Sequence, residues 1–205
     1  SKDGEAGFPG NLRVEARYVW TDSNSLKLIL TATTDRPTVV NLTNHAYWNL
    51  KGHDSGSVLD QMLKLNAADY LPTEETLIPL GHLESVAGTP MDFRTFKPIG
   101  KDVDADFPAL KIGKGYDACW VVDGYAKNTV KTVATLKDEE TGRILEIESD
   151  QPGVQVYSGN WLSGCPKNKS GRGYKDYDGV ALECQGFPNS PNTPSFPSTV
   201  LRPGE

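Results

Sequence analysis

Residues 12 to 32 restrict this chain more than any other stretch. Leu12, Val14, Ala16, Tyr18 and Trp20 occupy alternate positions, Thr-Asp-Ser-Asn follows, and Leu26, Leu28, Leu30 and Ala32 alternate again. A period of two puts each apolar set on one face of a strand, and a short polar turn between two such runs folds them back as a β-hairpin. A helix cannot use this pattern, because its buried residues must recur every third or fourth position.

Elsewhere no window longer than about ten residues keeps a helical apolar period. Twenty Gly and fourteen Pro spread turn signals over all 205 residues. Further strands are predicted at Val39 to Leu50, Gln61 to Leu65, Thr76 to Ile78, Tyr116 to Val122, Thr129 to Lys137, Ile144 to Ser149, Val154 to Ser158 and Gly179 to Gln185. Strands at this spacing, separated by loops rather than helices, indicate an all-β antiparallel sandwich with few or no helices. Neither a repeat nor a linker is visible, so residues 1–205 read as one domain. The Lys-, Gly-, Ser- and Asn-rich stretch Gly164 to Asp178 reads as a mobile surface loop within it.

Composition narrows the function. A net charge of −6 with scattered Lys and Arg provides no basic stripe for a phosphate backbone, so nucleic acid is not an expected partner. No apolar run approaches the roughly 20 residues that cross a bilayer, and SKDGEAGFPG lacks the charged and apolar regions of a signal peptide. A soluble protein without a membrane partner is expected, cytoplasmic by default. Cys119, Cys165 and Cys184 are odd in number and lack CxxC spacing, which argues against a disulfide framework or structural zinc and for a reducing compartment.

Three stretches set ionisable groups among strand-like apolar residues. His45 lies in NLTNHAYWNL between Asn44 and Tyr47, Asp117 enters GYDACW, and Glu183 stands in GVALECQG. A buried imidazole or carboxylate without a partner costs at least about 1–3 kcal/mol, so each residue is either satisfied by neighbours or used. Each has a plain reading when taken singly: a hydrogen-bonded core or edge histidine, an aspartate capping a turn, a glutamate on the solvent face. Together, an imidazole and a carboxylate with aromatic walls and amide side chains suit acid–base chemistry on a polar, uncharged substrate such as a sugar. No nucleophilic Ser or Cys has a recognisable context, the lone GxG at Gly113 to Gly115 is too weak for a phosphate loop, and the spacings match no metal motif. His53 and His82 fall in loop or turn contexts and read as solvent-exposed.

The blocks NLTNHAYWNL, TLIPLGHLESVAGTPMDFR, GYDACW, QPGVQVYSGNW and ALECQGFPNSPNTPSFPSTVLRPGE, in this order along the whole chain, resemble the aldose 1-epimerase (galactose mutarotase) family. The resemblance implies an antiparallel sandwich of galactose-mutarotase (supersandwich) type that binds an aldohexose on a concave sheet face and needs no cofactor and no metal. It implies that His45 is the general acid and Glu183 the general base, with Asp117 and Gln155 as contacts to sugar hydroxyls and Asn44 and Tyr47 beside them. The activity implied is interconversion of α and β anomers of sugars such as galactose and glucose. A hexose-6-phosphate 1-epimerase and a non-catalytic sugar-binding module are the other readings; the first would want an Arg or Lys cluster for the phosphate, and none is evident.

Members of that family are longer than this chain. They begin with strands carrying an arginine and another histidine that contact the sugar, and they end with a further strand. The chain therefore reads as an internal piece, and a sandwich without its first strands is expected to expose sheet edges and an apolar face. Oligomeric state has no signal in the sequence.

Overall fold

In one central strand, the residues Val180, Leu182 and Cys184 point one way and Ala181, Glu183 and Gln185 the other. Val180 and Leu182 of the first set are buried in the apolar core and Cys184 is half-buried against it, which fixes the register, because a slip of one residue would carry Glu183 and Gln185 into that core. The computed structural model describes residues 1–205, and this alternation recurs through it.

Fourteen strands follow one another along the chain. They are β1 (Leu12–Trp20), β2 (Leu26–Thr34), β3 (Thr38–Val39), β4 (Tyr47–Trp48) and β5 (Met62–Leu65). Next come β6 (Asp69–Leu71), β7 (Glu84–Ser85), β8 (Lys97–Pro98), β9 (Asp117–Val121) and β10 (Lys131–Lys137). The last are β11 (Ile144–Ser149), β12 (Gly153–Tyr157), β13 (Val180–Gln185) and β14 (Val200–Leu201). The only α-helix, α1 (Pro108–Gly113), has six residues, too few to register as a period in the sequence. No helix is long and apolar enough to cross a membrane.

The chain forms two compact units. One comprises Thr43–Asn189 and contains two antiparallel sheets, in the orders β4-β13-β12-β9-β6-β7 and β11-β10-β5-β8. Its core joins the inner faces of both. Leu63 and Leu65 of β5 lie opposite Leu136 and Ala134 of β10, and they cluster with Tyr70, Trp120, Val154, Val156, Val180 and Leu182 of the larger sheet. Trp120 is fully buried, donates its indole N–H to the Met91 carbonyl at 3.0 Å, and stands edge-on to Phe93 at 6.1 Å. The buried ammonium of Lys97 is compensated by the Pro90 carbonyl at 2.7 Å, by Asp102 at 2.8 Å and by the Phe93 ring at 4.2 Å.

The other unit comprises Ser1–Leu42 and Ser190–Glu205. It holds the β1–β2 hairpin in the register that alternation predicts, with Val14 opposite Ala32, Tyr18 opposite Leu28 and Trp20 opposite Leu26, and also the short β3–β14 pair. The apolar face of the hairpin is open: Tyr18 is 57 % exposed and Trp20 70 %.

Two expected strands are absent. Val39 to Leu50 is not one strand, since its ladder stops at Val39 and resumes only at Tyr47. In the gap, side chains replace backbone partners: Asn44 accepts the Ala46 N–H at 3.1 Å and the Thr43 hydroxyl donates to the Cys184 carbonyl at 2.9 Å. Thr76 to Ile78 is a loop tip. Leu77 lies in the left-handed region at φ 64° and donates its N–H to the Glu74 carbonyl at 2.9 Å, a conformation that no β-branched pattern announces.

Candidate functional site

Strand pairing lays out the solvent-side face of the six-stranded sheet as three rows. They read Tyr47–Ala181–Tyr157–Asp117, then Glu183–Gln155–Cys119–Leu71, then Gln185–Gly153–Val121–Asp69. Four of the six residues singled out in the sequence, Tyr47, Asp117, Gln155 and Glu183, thus share one face because of parity alone. His45 reaches the same place from the loop before β4: its Nε2 lies 3.4 Å from Glu183 Oε1. Its side chain is 51 % exposed and that of Glu183 only 9 %, so the histidine is not the buried residue that a continuous strand would have made it. Asn44 sits beside it, with its amide oxygen engaged in the turn to Ala46.

Aromatic rings wall one side. Tyr47 is tilted against His45 with centroids 5.1 Å apart and meets the edge of Tyr157 at 6.1 Å. The Tyr157 hydroxyl accepts the Trp161 backbone N–H at 3.0 Å. On the other side, Gln155 Nε2 donates to Asp117 Oδ1 at 2.8 Å. That bond fixes the amide's orientation and leaves Gln155 Oε1 buried without a partner, an acceptor waiting for a donor.

Support from behind the face was not visible in the sequence. Asn160 is 1 % exposed; its Nδ2 donates to the carbonyls of Gly113 at 2.8 Å and Tyr116 at 3.0 Å, while Ser158 Oγ donates to its Oδ1 and accepts the Tyr116 N–H. These bonds hold the turn that delivers Asp117. A side chain at Gly115, at φ 136°, would place its Cβ 2.6 Å from Asn160 Oδ1. The signal available was a lone Asn between apolar residues in YSGNWL, weaker than a charge.

Burial raises the Glu183 carboxyl above its ordinary range; His45 pulls it back down and Asp117 pushes it further up. Burial also raises Asp117, against the Gln155 hydrogen bond and the His45 charge. A native carboxyl with a raised pKa keeps its proton to higher pH than the unfolded chain does, so its ionisation removes stability as pH climbs past about 4, the unfolded value for Asp. Asp117→Asn is therefore expected to raise the urea midpoint at pH 7 and to leave it unchanged near pH 3, where both states are protonated. An unchanged or lower midpoint at pH 7 would count against that account of Asp117.

The other two histidines lie away from this face. His82 is exposed and 3.3 Å from Glu84, whereas His53, expected to be exposed, is only partly so, with Nε2 3.1 Å from the Ser170 hydroxyl and Nδ1 3.6 Å from Asp54. The three cysteines are free thiols, Cys119 buried beneath the site, Cys184 half-buried on the core side and Cys165 exposed.

An imidazole–carboxylate pair with amide side chains beside it, on one face of a two-sheet antiparallel sandwich, is the class of arrangement that acid–base chemistry on a polar, uncharged ligand requires. Comparison with known proteins gives the family: the model of the aldose 1-epimerase family matches residues 1–205, and the chain belongs to that family. It is 42% identical over 210 residues to the aldose 1-epimerase of Escherichia coli and 39% identical over 205 residues to the galactose mutarotase of Bos taurus. All of the chain is matched in both, against 59% and 58% of those proteins, so it spans less than two thirds of the curated relatives' length. Among solved structures, an aldose epimerase homologue from C. elegans superposes with a TM-score of 0.86 at 32% identity, over 100% of this chain and 60% of that one. The galactose 1-epimerase from Lactobacillus acidophilus gives 0.83 at 30%, over 99% and 56%.

Proposed function

We propose that the chain carries the acid and base of an aldose 1-epimerase, interconverting the α and β anomers of an aldohexose such as galactose or glucose. The names of its relatives support this reading, and the 3.4 Å approach of His45 Nε2 to Glu183 Oε1 on an open sheet face carries it. The reaction moves protons between the anomeric hydroxyl and the ring oxygen. Both oxygens are bonded to one carbon, so an acid and a base serving them must be neighbours.

Glu183, as carboxylate, takes the proton of the anomeric hydroxyl while His45, as imidazolium, gives one to the ring oxygen. The bond between the anomeric carbon and the ring oxygen breaks, leaving a free aldehyde and a hydroxyl. Rotation about the adjoining carbon–carbon bond presents the other carbonyl face, and closure with the proton transfers reversed yields the other anomer. Gln155 Oε1 supplies the acceptor for a sugar hydroxyl, Asp117 a second one, and Tyr47 with Tyr157 cover an apolar C–H face. Charge is conserved across the pair, and no electron is transferred.

Freshly dissolved α-D-galactose, followed by polarimetry, is expected to reach its equilibrium rotation faster with the purified chain than in buffer alone. A folded chain that leaves the buffer rate unchanged would overturn the proposal.

A further inference from the structure

The pairing between β4 and β13 consists of Trp48 opposite Val180 and Tyr47 opposite Ala181. Continued by two residues, that register would set His45 directly opposite Glu183, and two further on it would bring Thr43 opposite Gln185. The ladder stops at Tyr47 instead, and His45 lies beyond its end.

Past that end a side chain resumes the contact between the two segments. Thr43 Oγ1 donates to the Cys184 carbonyl at 2.9 Å, one residue after Glu183. Between the two anchors the Asn44 amide oxygen accepts the Ala46 N–H at 3.1 Å, closing a turn over His45 itself. His45 is thus bracketed, with a hydroxyl anchor two residues before it and a sheet pair two residues after it. Its ring is half exposed, meeting Tyr47 with centroids 5.1 Å apart and Glu183 at 3.4 Å, so its place is set more by its backbone than by packing. A displacement of about 1 Å in a reacting group is enough to cost about a hundredfold in rate.

Resting on the reading above, with His45 as acid and Glu183 as base, we propose that Thr43 is a positioning residue for the reaction. Its hydroxyl, through the Cys184 carbonyl, locks the His45 loop to β13, so that the imidazole keeps its reach to the sugar oxygens that Glu183 also serves. Thr43 acts through the backbone of both partners rather than on the sugar.

The Glu183 carboxyl reports the result. The titratable groups that bear on it are His45 from the loop before β4, Tyr47 on β4, and Asp117 and Cys119 on β9. Burial and Asp117 push the carboxyl up and His45 pulls it down, so releasing the loop should let it titrate at higher pH.

Thr43→Val keeps the volume and the β-branch and removes the donor, whereas Thr43→Ser keeps the donor. Polarimetry with D-galactose and calorimetric binding are expected to give Thr43→Val a kcat at least about tenfold lower, with sugar affinity within about threefold of the parent. Its acid limb of kcat/KM should move up by at least about half a pH unit, part of the roughly one to three that an opposite charge at this range supplies. Thr43→Ser should remain within about threefold of the parent rate, because the donor is kept. A hydroxyl that only stabilises the fold would lower the urea midpoint of Thr43→Val and leave kcat and the acid limb in place, and that result would overturn the inference. A Ser variant as impaired as the Val variant would do the same. If Thr43→Val is not recovered folded, Thr43→Ala removes the same donor and is held to the same outcomes.

If the parent chain itself does not turn over galactose, the proposed reaction fails separately, and the positioning is read without it. Carbon-13 NMR follows the Glu183 carboxyl against pH, with its signal assigned through Glu183→Gln. The midpoint should rise by at least about half a pH unit in Thr43→Val and hold in Thr43→Ser. A midpoint unmoved in Thr43→Val would dismiss Thr43 as the anchor of His45.

Discussion

Replacing Glu183 with glutamine is expected to slow anomerisation by about a hundred- to ten-thousandfold, the usual contribution of a positioned general base. The substitution keeps the shape, the place on β13 opposite Gln155, and hydrogen-bonding capacity, but it removes the proton acceptor. Sugar affinity should therefore stay near that of the parent chain, a split that general damage to the fold would not produce. The parent's own pH profile is a second check. The proposed reaction needs ionised Glu183, and burial raises that group, so the acid limb of kcat/KM should fall at a pH above the ordinary glutamate value of about 4.3. Polarimetry at saturating sugar, with binding measured calorimetrically, decides the matter; a variant within about threefold of the parent rate would remove Glu183 from the role of base.

Trp120→Ala is expected to be the most damaging single change to stability, at about 3–5 kcal/mol. Its ring is fully buried between the two sheets, and truncation leaves a cavity bordered by Tyr70, Phe93 and Tyr116, rigid neighbours that cannot collapse into it. The Met91 carbonyl also loses its donor. A whole domain is stable by only about 5–15 kcal/mol, so the urea midpoint should fall steeply. Trp120→Phe retains most of the volume and loses only the hydrogen bond, and its loss should be about a third of that or less. Equal losses for the two variants would mean that the indole N–H, rather than the ring's volume, is what matters.

Parts of this fold could be read directly from the residues. The hairpin was legible to within two residues of its full length because nine-residue strands repeat the period several times. Strands β9 to β13 fell within two residues of expectation for the same reason. The two-residue strands β7, β8 and β14 could not be read, since two residues carry no period and their pairing depends on partners far along the chain. NLTNHAYWNL misled in one respect: its apolar and aromatic residues look like a strand, but Asn44 and Thr43 satisfy the backbone with side chains instead.

The candidate site was legible where a charge broke an apolar run, as at Asp117 and Glu183, and family resemblance assigned their expected roles. Asn160, Gln185 and Leu77 carried no such mark. Asn160 acts through a turn it supports from behind. Gln185 and Leu77 line one cleft with Asp117 and Gln155 because a sheet row and a loop tip converge there, a proximity that only the folded chain creates.

Core and site are written on the same strands in alternating letters, Leu182 inward and Glu183 outward, Val154 inward and Gln155 outward. Length changes in β9, β12 or β13 are therefore odd or even before they are large or small. Inserting one residue ahead of Leu182 would turn the Glu183 carboxylate into the apolar interior and present Leu182 on the outer face, whereas inserting two would restore every direction and shift the rows by one step. For anyone redesigning this face, the usable mutations are substitutions and paired insertions; single insertions and deletions exchange the inside of the protein with its outside.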